Sequence, residues 1–457
     1  MLSRSALARN LHQVVRRSCS VHALQNRGFA AAASTNAFDV ADVSGLKVAS
    51  RDTHGPATRL AVVAKAGTRY QPLPGLCVGL EEFAFKNTQR RTALRITRES
   101  ELLGGRLAAS HTREALRIEA SFLRQDLPYY AELLAEVISM TKFTTHEFHE
   151  DVERVLHIKQ AALNSDVSAL ALDNAHAVAF HTGLGAPVYP SVSTPVQNYL
   201  NEEFIASYAD VVYSKPNITV VADGTSAEHL AKWVDQFFSN VPASSNSGQT
   251  LKTEPSKYYG GEQRLSHTAG NSMVIAFPGS NSNGSNPEMA VLAALLGGKP
   301  TIKWSPGFGL LSKAAAETRG LSAICRNLSY SDSGLVVVEL SGAAAAVRRG
   351  AEHTVKAIKS IADGSVSGED VTRAIANAKF DLLDASQLQG PSMLLAGSGI
   401  LNSGKPTELA SLASAFESVT KDQLTTAAQS LLQDKATIST VGDLFVLPFA
   451  ADIGLRV

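Results

Sequence analysis

Few places in this sequence carry residue types and spacings that could do chemistry. The first is G-L-C-V-G-L-E-E-F-A-F-K-N-T, Gly75 to Thr88, where Glu81 and Glu82 stand side by side among Leu76, Val78, Leu80, Phe83 and Phe85. A carboxylate on an apolar helix suits general-base or metal chemistry. A second is T-T-H-E-F-H-E-D, with His146 and His149 three residues apart and His157 beyond. A metal there needs three ligands converging with supporting partners, whereas histidines at an acidic helix start are ordinarily solvated, so none is expected. The pairs Gly104-Gly105, Gly260-Gly261 and Gly297-Gly298 read as turns, since none continues into a phosphate-binding glycine motif. No G-x-S-x-G occurs, and Ser331, Asp332 and Ser333 make no nucleophile elbow.

The elements that must position these residues are written twice. Glu150-Asp151-Val152-x-Arg154 recurs as Glu369-Asp370-Val371-x-Arg373, Ala131-Glu132 as Ala351-Glu352, and Glu119-x-Ser121 as Glu339-x-Ser341. The order and near-constant offset indicate an internal duplication. In each copy a β-prone run, Ala115 to Leu123 or Leu335 to Leu340, leads into a helix with apolar residues at i, i+3 and i+4, Pro128 to Thr141 or Ala346 to Ala362. A second helix with an acidic first turn follows, with Thr145 or Ser367 as its expected N-cap. The expected unit is α+β. The Ser-, Asn-, Gly- and Pro-rich stretch Asn240 to Ser256 is the natural linker between domains over 38–239 and 257–457.

Composition narrows the function further. At 44% hydrophobic and 18% charged residues the chain can bury a sizeable core, and its 42 basic residues balance 42 acidic ones. Neutrality removes the bulk electrostatic case for nucleic acid or an anionic membrane. Cys19, Cys77 and Cys325 are too few and scattered for a disulfide framework. No apolar run approaches the roughly 20 residues of a membrane helix. The first 38 residues differ: Arg4, Arg9, Arg16 and Arg17 alternate with Leu2, Leu7, Leu11, Val14 and Val15, and no acid precedes Asp39. That amphipathic pattern predicts a mitochondrial presequence over 1–33, cleaved near Phe29 to Ser34.

With these residues in view, the chain resembles the inverted-zincin peptidase family that includes the mitochondrial processing peptidase. Its first-domain motif is H-x-x-E-H in a context like G-x-A-H-F-L-E-H-M-A-F-K-G-T. Aligning Gly75 with the first glycine and Ala84-Phe85-Lys86 with A-F-K leaves no gap. The resemblance implies that Val78 and Glu82 occupy the two histidine positions and that Glu81 keeps the base position. The third ligand, a glutamate in a context like E-R-D-V-I-L-R-E, corresponds to Lys159 in Val152 to Lys159. Valine has no lone pair and lysine repels zinc, so no metal, no cofactor and no hydrolysis are expected; Glu81 and Glu82 should instead meet the Lys159 region. In the second copy, Gly307-Phe308-Gly309-Leu310-Leu311 lacks the arginine and tyrosine that active members use to hold substrate.

Within the family, this loss in a mitochondrial chain is similar to the core proteins of the cytochrome bc1 complex. Tyr330-Ser331-Asp332-Ser333-Gly334-Leu335 resembles a Y-S-D-S-G-L segment there, and His181 to Tyr189 resembles a region carrying G-L-G-N-P. The resemblance implies two homologous domains, each a mixed sheet backed by helices, enclosing a cavity. It also implies a noncatalytic scaffold on the matrix side of the inner membrane, paired with core protein 1 beneath the membrane-embedded cytochrome subunits of a dimeric complex. The rival is the noncatalytic, presequence-binding α-type subunit of the processing peptidase. Against it, Leu295 to Gly309 is shorter than that subunit's glycine-rich loop and is interrupted by Pro300 and Pro306.

Overall fold

The structure is a computed structural model that describes residues 37–282, 286–298 and 307–457. The presequence expectation and part of the Leu295 to Gly309 segment lie outside the described residues. In the first half the chain runs β1 (Asp39–Val43), β2 (Leu46–Arg51), β3 (Ala57–Ala64), α1 (Leu76–Phe83), α2 (Ala93–Leu102), β4 (Arg106–His111) and β5 (Leu116–Leu123). It continues through α3 (Leu127–Ser139), α4 (Glu153–Ser165), α5 (Val167–Phe180), α6 (Glu202–Val212), β6 (Ile218–Asp223) and α7 (Ala227–Phe237). The second half holds β7 (Gly261–Ser266), β8 (Asn271–Pro278), α8 (Pro287–Leu296), α9 (Leu310–Glu317), β9 (Leu321–Ser329) and β10 (Gly334–Gly342). Helices α10 (Ala344–Ala362), α11 (Gly368–Gln387), α12 (Gln389–Ser403), α13 (Leu409–Glu417) and α14 (Lys421–Gln433) then lead to β11 (Thr437–Gly442).

The duplication is visible strand by strand. The sheets are ordered β1-β2-β6-β3-β5-β4 and β7-β11-β8-β10-β9, so the second repeats the first without its edge strand β1. In each, one pair is parallel, β2 with β6 and β7 with β11, and the remaining pairs are antiparallel. Glu119 and Ser121 fall on β5, Glu339 and Ser341 on β10, and the acidic repeats enter α4 and α11. Ser367 caps α11, accepting from the Asp370 N–H at 3.1 Å. The first-copy cap differs: the chain turns helical after Thr144, passes through a π turn at Phe148–Val152, and Thr145 donates to Glu202 instead.

Strand alternation makes every sheet two-faced. In the first sheet Leu60, Val62, Ile118 and Val220 face a core closed by α1, α3 and α7, while Ala61, Val63, Ala115 and Val221 face the other way. That second face is covered by a helix of the other half: Met393, Ala396 and Ile400 of α12 lie on it, all buried. The exchange is reciprocal, since Leu170, Ala171, Ala175 and Phe180 of α5 cover Val274, Ala276, Leu335, Val337 and Val441 of the second sheet. Each half lends one helix to its twin.

Polar contacts pin the same seam. Arg69, its side chain 3% exposed, forks onto Asp332 (2.8 and 2.6 Å) and reaches Glu114 (2.8 Å), Ser331 (3.1 Å) and the Glu254 carbonyl (2.9 Å). Glu114 in turn accepts from the backbone N–H and hydroxyl of Ser331. Next to it, His176 on α5 donates from Nδ1 to the Leu172 carbonyl (2.8 Å) and accepts at Nε2 from the Tyr330 hydroxyl (2.7 Å). Burial, and then the Arg113 charge, push its pKa down to about 3, so the imidazole is neutral and can serve as that acceptor.

Candidate functional site

Helix α1 is short and apolar because it is nearly all core. Leu76, Cys77, Val78, Leu80 and Phe83 are buried, leaving Glu81 and Glu82 as its polar face. Gly75 starts it at a φ of 100°, a left-handed turn that costs glycine little. Gly79 lets α6 close on it, since a Cβ there would lie 2.5 Å from Ile205 Cδ1. After the helix Phe85 takes a positive φ of 64° and reverses the chain, and Lys86 pairs with Asp151 at 2.6 Å. The A-F-K end of the segment is therefore a structural joint to the chain leading into α4.

The side chain that α4 brings to this face is Lys159. Its ammonium donates to Glu82 Oε1 at 2.6 Å and to Glu81 Oε1 at 3.0 Å, and it lies 5.4 Å from the centre of the Tyr189 ring. The other Glu81 oxygen meets Nδ1 of His111, the last residue of edge strand β4. Both oxygens of Glu81 are thus committed to cationic or imidazole N–H groups. Burial pushes the Glu81 pKa up, but the His111 hydrogen bond and charge, followed by Lys159, leave it below the ordinary carboxylate value. For Lys159, burial works against the charge, yet the Glu82 and Glu81 carboxylates hold its pKa above the usual lysine value. Val78, one turn before Glu82, is 1% exposed in the hydrophobic core.

A further layer fixes these partners. The Val188 carbonyl receives His111 Nε2–H at 3.1 Å, and the loop carrying Val188 and Tyr189 is held by Arg113 and Asp173. Arg113 donates to the Leu184 carbonyl (3.0 Å), the Ala186 carbonyl and Asp173 (2.5 Å), and Asp173 accepts from the Val188 N–H (3.2 Å). The segment noted for its likeness, His181 to Tyr189, has this physical task. Sequence reasoning brought Glu81, Glu82 and Lys159 together but missed His111, thirty residues from Glu81 and in no motif. Its only signal is the end of an edge strand beside α1.

The other candidates stay apart from this cluster. His146 lies 3.6 Å from Glu150, His149 3.0 Å from Glu153, and His157 bonds Gln160 at 3.2 Å, with the three histidine side chains between 49% and 65% exposed. Phe308 packs under the Arg373 guanidinium at 5.3 Å. A pocket of about 1010 Å³ opens between the 69–76 loop, α6 and the 248–259 connector, with Phe204, Tyr208 and Phe180 among its walls.

The arrangement can hold charge in balance but offers no free base. Replacing Lys159 by methionine leaves two adjacent carboxylates facing each other in a partly buried site and should cost about 2 kcal/mol of stability, read by urea unfolding. Lys159→Arg should cost less. The pH dependence has a definite sign. A carboxyl whose folded pKa lies below its unfolded value contributes stability above the unfolded value, near 4.5, and loses it as pH falls through the folded value. The stability gap between the native chain and Glu81→Gln should therefore be full at pH 6 and shrink below about pH 4.5.

Comparison with known proteins adds the family context. The model of the insulinase family, peptidase family M16, matches residues 47–191, and that of the peptidase M16 inactive domain matches 199–378. The cytochrome b-c1 complex subunit 2 of Neurospora crassa is 57% identical over 100% of both chains. The subunit of the same name from Cryptococcus neoformans is 36% identical over 90% of this chain and 93% of its own. A mitochondrial-processing peptidase subunit alpha-2 of Dictyostelium discoideum is 28% identical over 89% of this chain and 91% of its own.

Proposed function

Because this chain belongs to the peptidase M16 family yet closes that family's catalytic frame with its own lysine, we propose that it is core protein 2, a noncatalytic structural subunit of the mitochondrial cytochrome bc1 complex. The observation that carries the reading is 57% identity over the entire chain to a subunit of that name, against 28% over 89% of the chain to a processing-peptidase α subunit. In this reading Val78, Glu82 and Lys159 stand at lost ligand positions, and Glu81 is a base with no metal-bound water to act on. The Lys159 ammonium between the two glutamates supports it, since it supplies the positive charge that a metal would otherwise bring.

The finer expectations belong to the same proposal. Two homologous domains, 38–239 and 257–457, follow a presequence over 1–33 and are joined through 240–256. The chain would sit peripherally on the matrix side of the inner membrane, beside core protein 1 and below the cytochrome subunits of a dimeric complex. Among the described residues no helix is long and apolar enough to cross a membrane. Its contribution would be assembly and stability, because an obligate interface behaves as a core divided between chains. Native electrophoresis of detergent-solubilised mitochondria tests it: the chain should migrate in a large haem-bearing assembly and disappear from it as that assembly is lost. Migration with a zinc peptidase subunit and no haem absorbance would instead support the processing-peptidase reading.

A further inference from the structure

We propose that the corner where α12 begins over the first sheet is a docking surface for a partner protein that presents a carboxylate flanked by apolar side chains. This rests on the reading that the chain is a subunit of an assembly. Arg59 on β3 and Arg117 on β5 lie on the sheet face that α12 covers, with Glu119 and Ser121 between and beside them. Their guanidinium groups converge on the start of that helix. A Cβ on Gly390 would stand 2.8 Å from Arg117 Nη1 and 3.1 Å from Arg59 Nη1, so both cationic ends lie within 3.1 Å of one point.

Among the described residues the carboxylates on this face are Glu119, ion-paired with Arg117, and Asp223, in register with Arg59 but forked by Arg51. Arg59 spends its Nε on the Ser121 hydroxyl at 3.0 Å, which carries no charge. Arg117 Nε is 3.5 Å from Glu119 Oε2 without a hydrogen bond, and both of those atoms are buried and unpartnered. Two carboxylates thus face three guanidinium groups, which leaves an excess of one positive charge. The helix adds to the imbalance, because its first N–H groups and dipole are positive, Leu388 supplies no side-chain cap, and its first turn has no acid. The matching helix of the other half, α5, is treated differently: Asp166 caps it, accepting from the Ser168 and Ala169 N–H groups at 3.0 and 3.2 Å.

The chain that leads into Gly390 carries exposed apolar side chains. Leu388 and Phe380 are each 63% exposed, and Leu383 lies between them along the end of α11. Arginine with exposed aromatic and aliphatic anchors on the same stretch of chain is the make-up of an interface hot spot. Asp381 and Asp384 share that end of α11, so an incoming acid is repelled there and directed to the arginine end. A bare inorganic anion would use the arginines and leave the apolar anchors exposed, which is why a protein segment is the better fit.

The test uses the full chain in cells that assemble the complex. With Arg59→Glu and Arg117→Glu combined, incorporation on native gels should fall at least tenfold, and by more than in a chain destabilised to the same melting temperature by a substitution elsewhere. Phe380→Ser with Leu388→Ser, both exposed in the chain, should also lower incorporation and keeps the inference testable if the charge reversal does not fold. In the Arg117→Lys variant, carbodiimide should join the new amine to an aspartate or glutamate of another subunit. Normal incorporation of either double variant, or crosslinks only within the chain, would overturn the inference. Absence of the unaltered chain from any haem-bearing assembly would instead sink the functional reading beneath it.

Discussion

Arg69→Ala should lower the unfolding free energy by about 3–5 kcal/mol, the usual cost of removing one partner from a buried ion pair. Arg69 is almost wholly enclosed, and it joins loops far apart in sequence: Glu114 after β4, Glu254 in the connector and Asp332 between β9 and β10. Its removal strands Asp332, whose pKa is held below the carboxylate range against burial by the Arg69 hydrogen bond and then by the Ser256 N–H. Glu114 loses its cation but keeps its bonds to Ser331. Asp332→Asn should cost less, because the amide oxygen still accepts one Arg69 bond. Urea midpoints of the two variants check the order. Equal costs would mean that the Asp332 charge, and not the fork itself, carries the contact.

Cutting the chain between Ser247 and Gly248 and producing the halves separately should give two polypeptides that fail to fold alone and recover when combined. The reason is the exchange of α5 and α12. Without its twin, the first half exposes Val63, Val221 and the apolar side of α5, and the second half exposes Val274, Leu335, Val337 and Val441 with Met393 and Ile400 of α12. At about 1.5–3 kcal/mol for each large side chain, that exposure exceeds the roughly 5–15 kcal/mol by which a domain is stable. Near-ultraviolet circular dichroism and protease resistance of each half, then of the mixture, decide the matter. A half with native-like spectra on its own would show that the lent helix is dispensable.

How far the sequence discloses this molecule depends on the kind of information a residue pattern holds. The repeated Glu119-x-Ser121 and Glu339-x-Ser341 identify equivalent strands because duplicated units keep spacing, and β5 and β10 pair in the same way. Periodicity tells which faces of α5 and α12 are apolar, but it does not say whose sheet they cover. The exchange is therefore invisible until the chain is folded. The likeness around Gly75 placed Lys159 against Glu81 and Glu82 because an aligned motif carries long-range geometry with it. His111 belongs to no such motif, so its contact with Glu81 could be found only from the sheet edge. Ser331 and Asp332 stood out as a likeness alone, and the structure gives them work as the turn that Arg69 and Glu114 hold. The Thr145 cap failed because the helix starts one residue earlier, with Thr144 at its N-cap, so Thr145 falls inside the first turn and its hydroxyl goes to Glu202.

Lys159 occupies both Glu81 and Glu82, at 3.0 and 2.6 Å, and on the proposed reading it stands where the family's third metal ligand would be. Metal analysis tests that reading most directly: the purified full-length chain is equilibrated with zinc, dialysed and assayed for bound metal, alongside Glu81→Gln. The account predicts substoichiometric zinc in both, indistinguishable between them. One tightly held equivalent per chain, lost in Glu81→Gln, would contradict it.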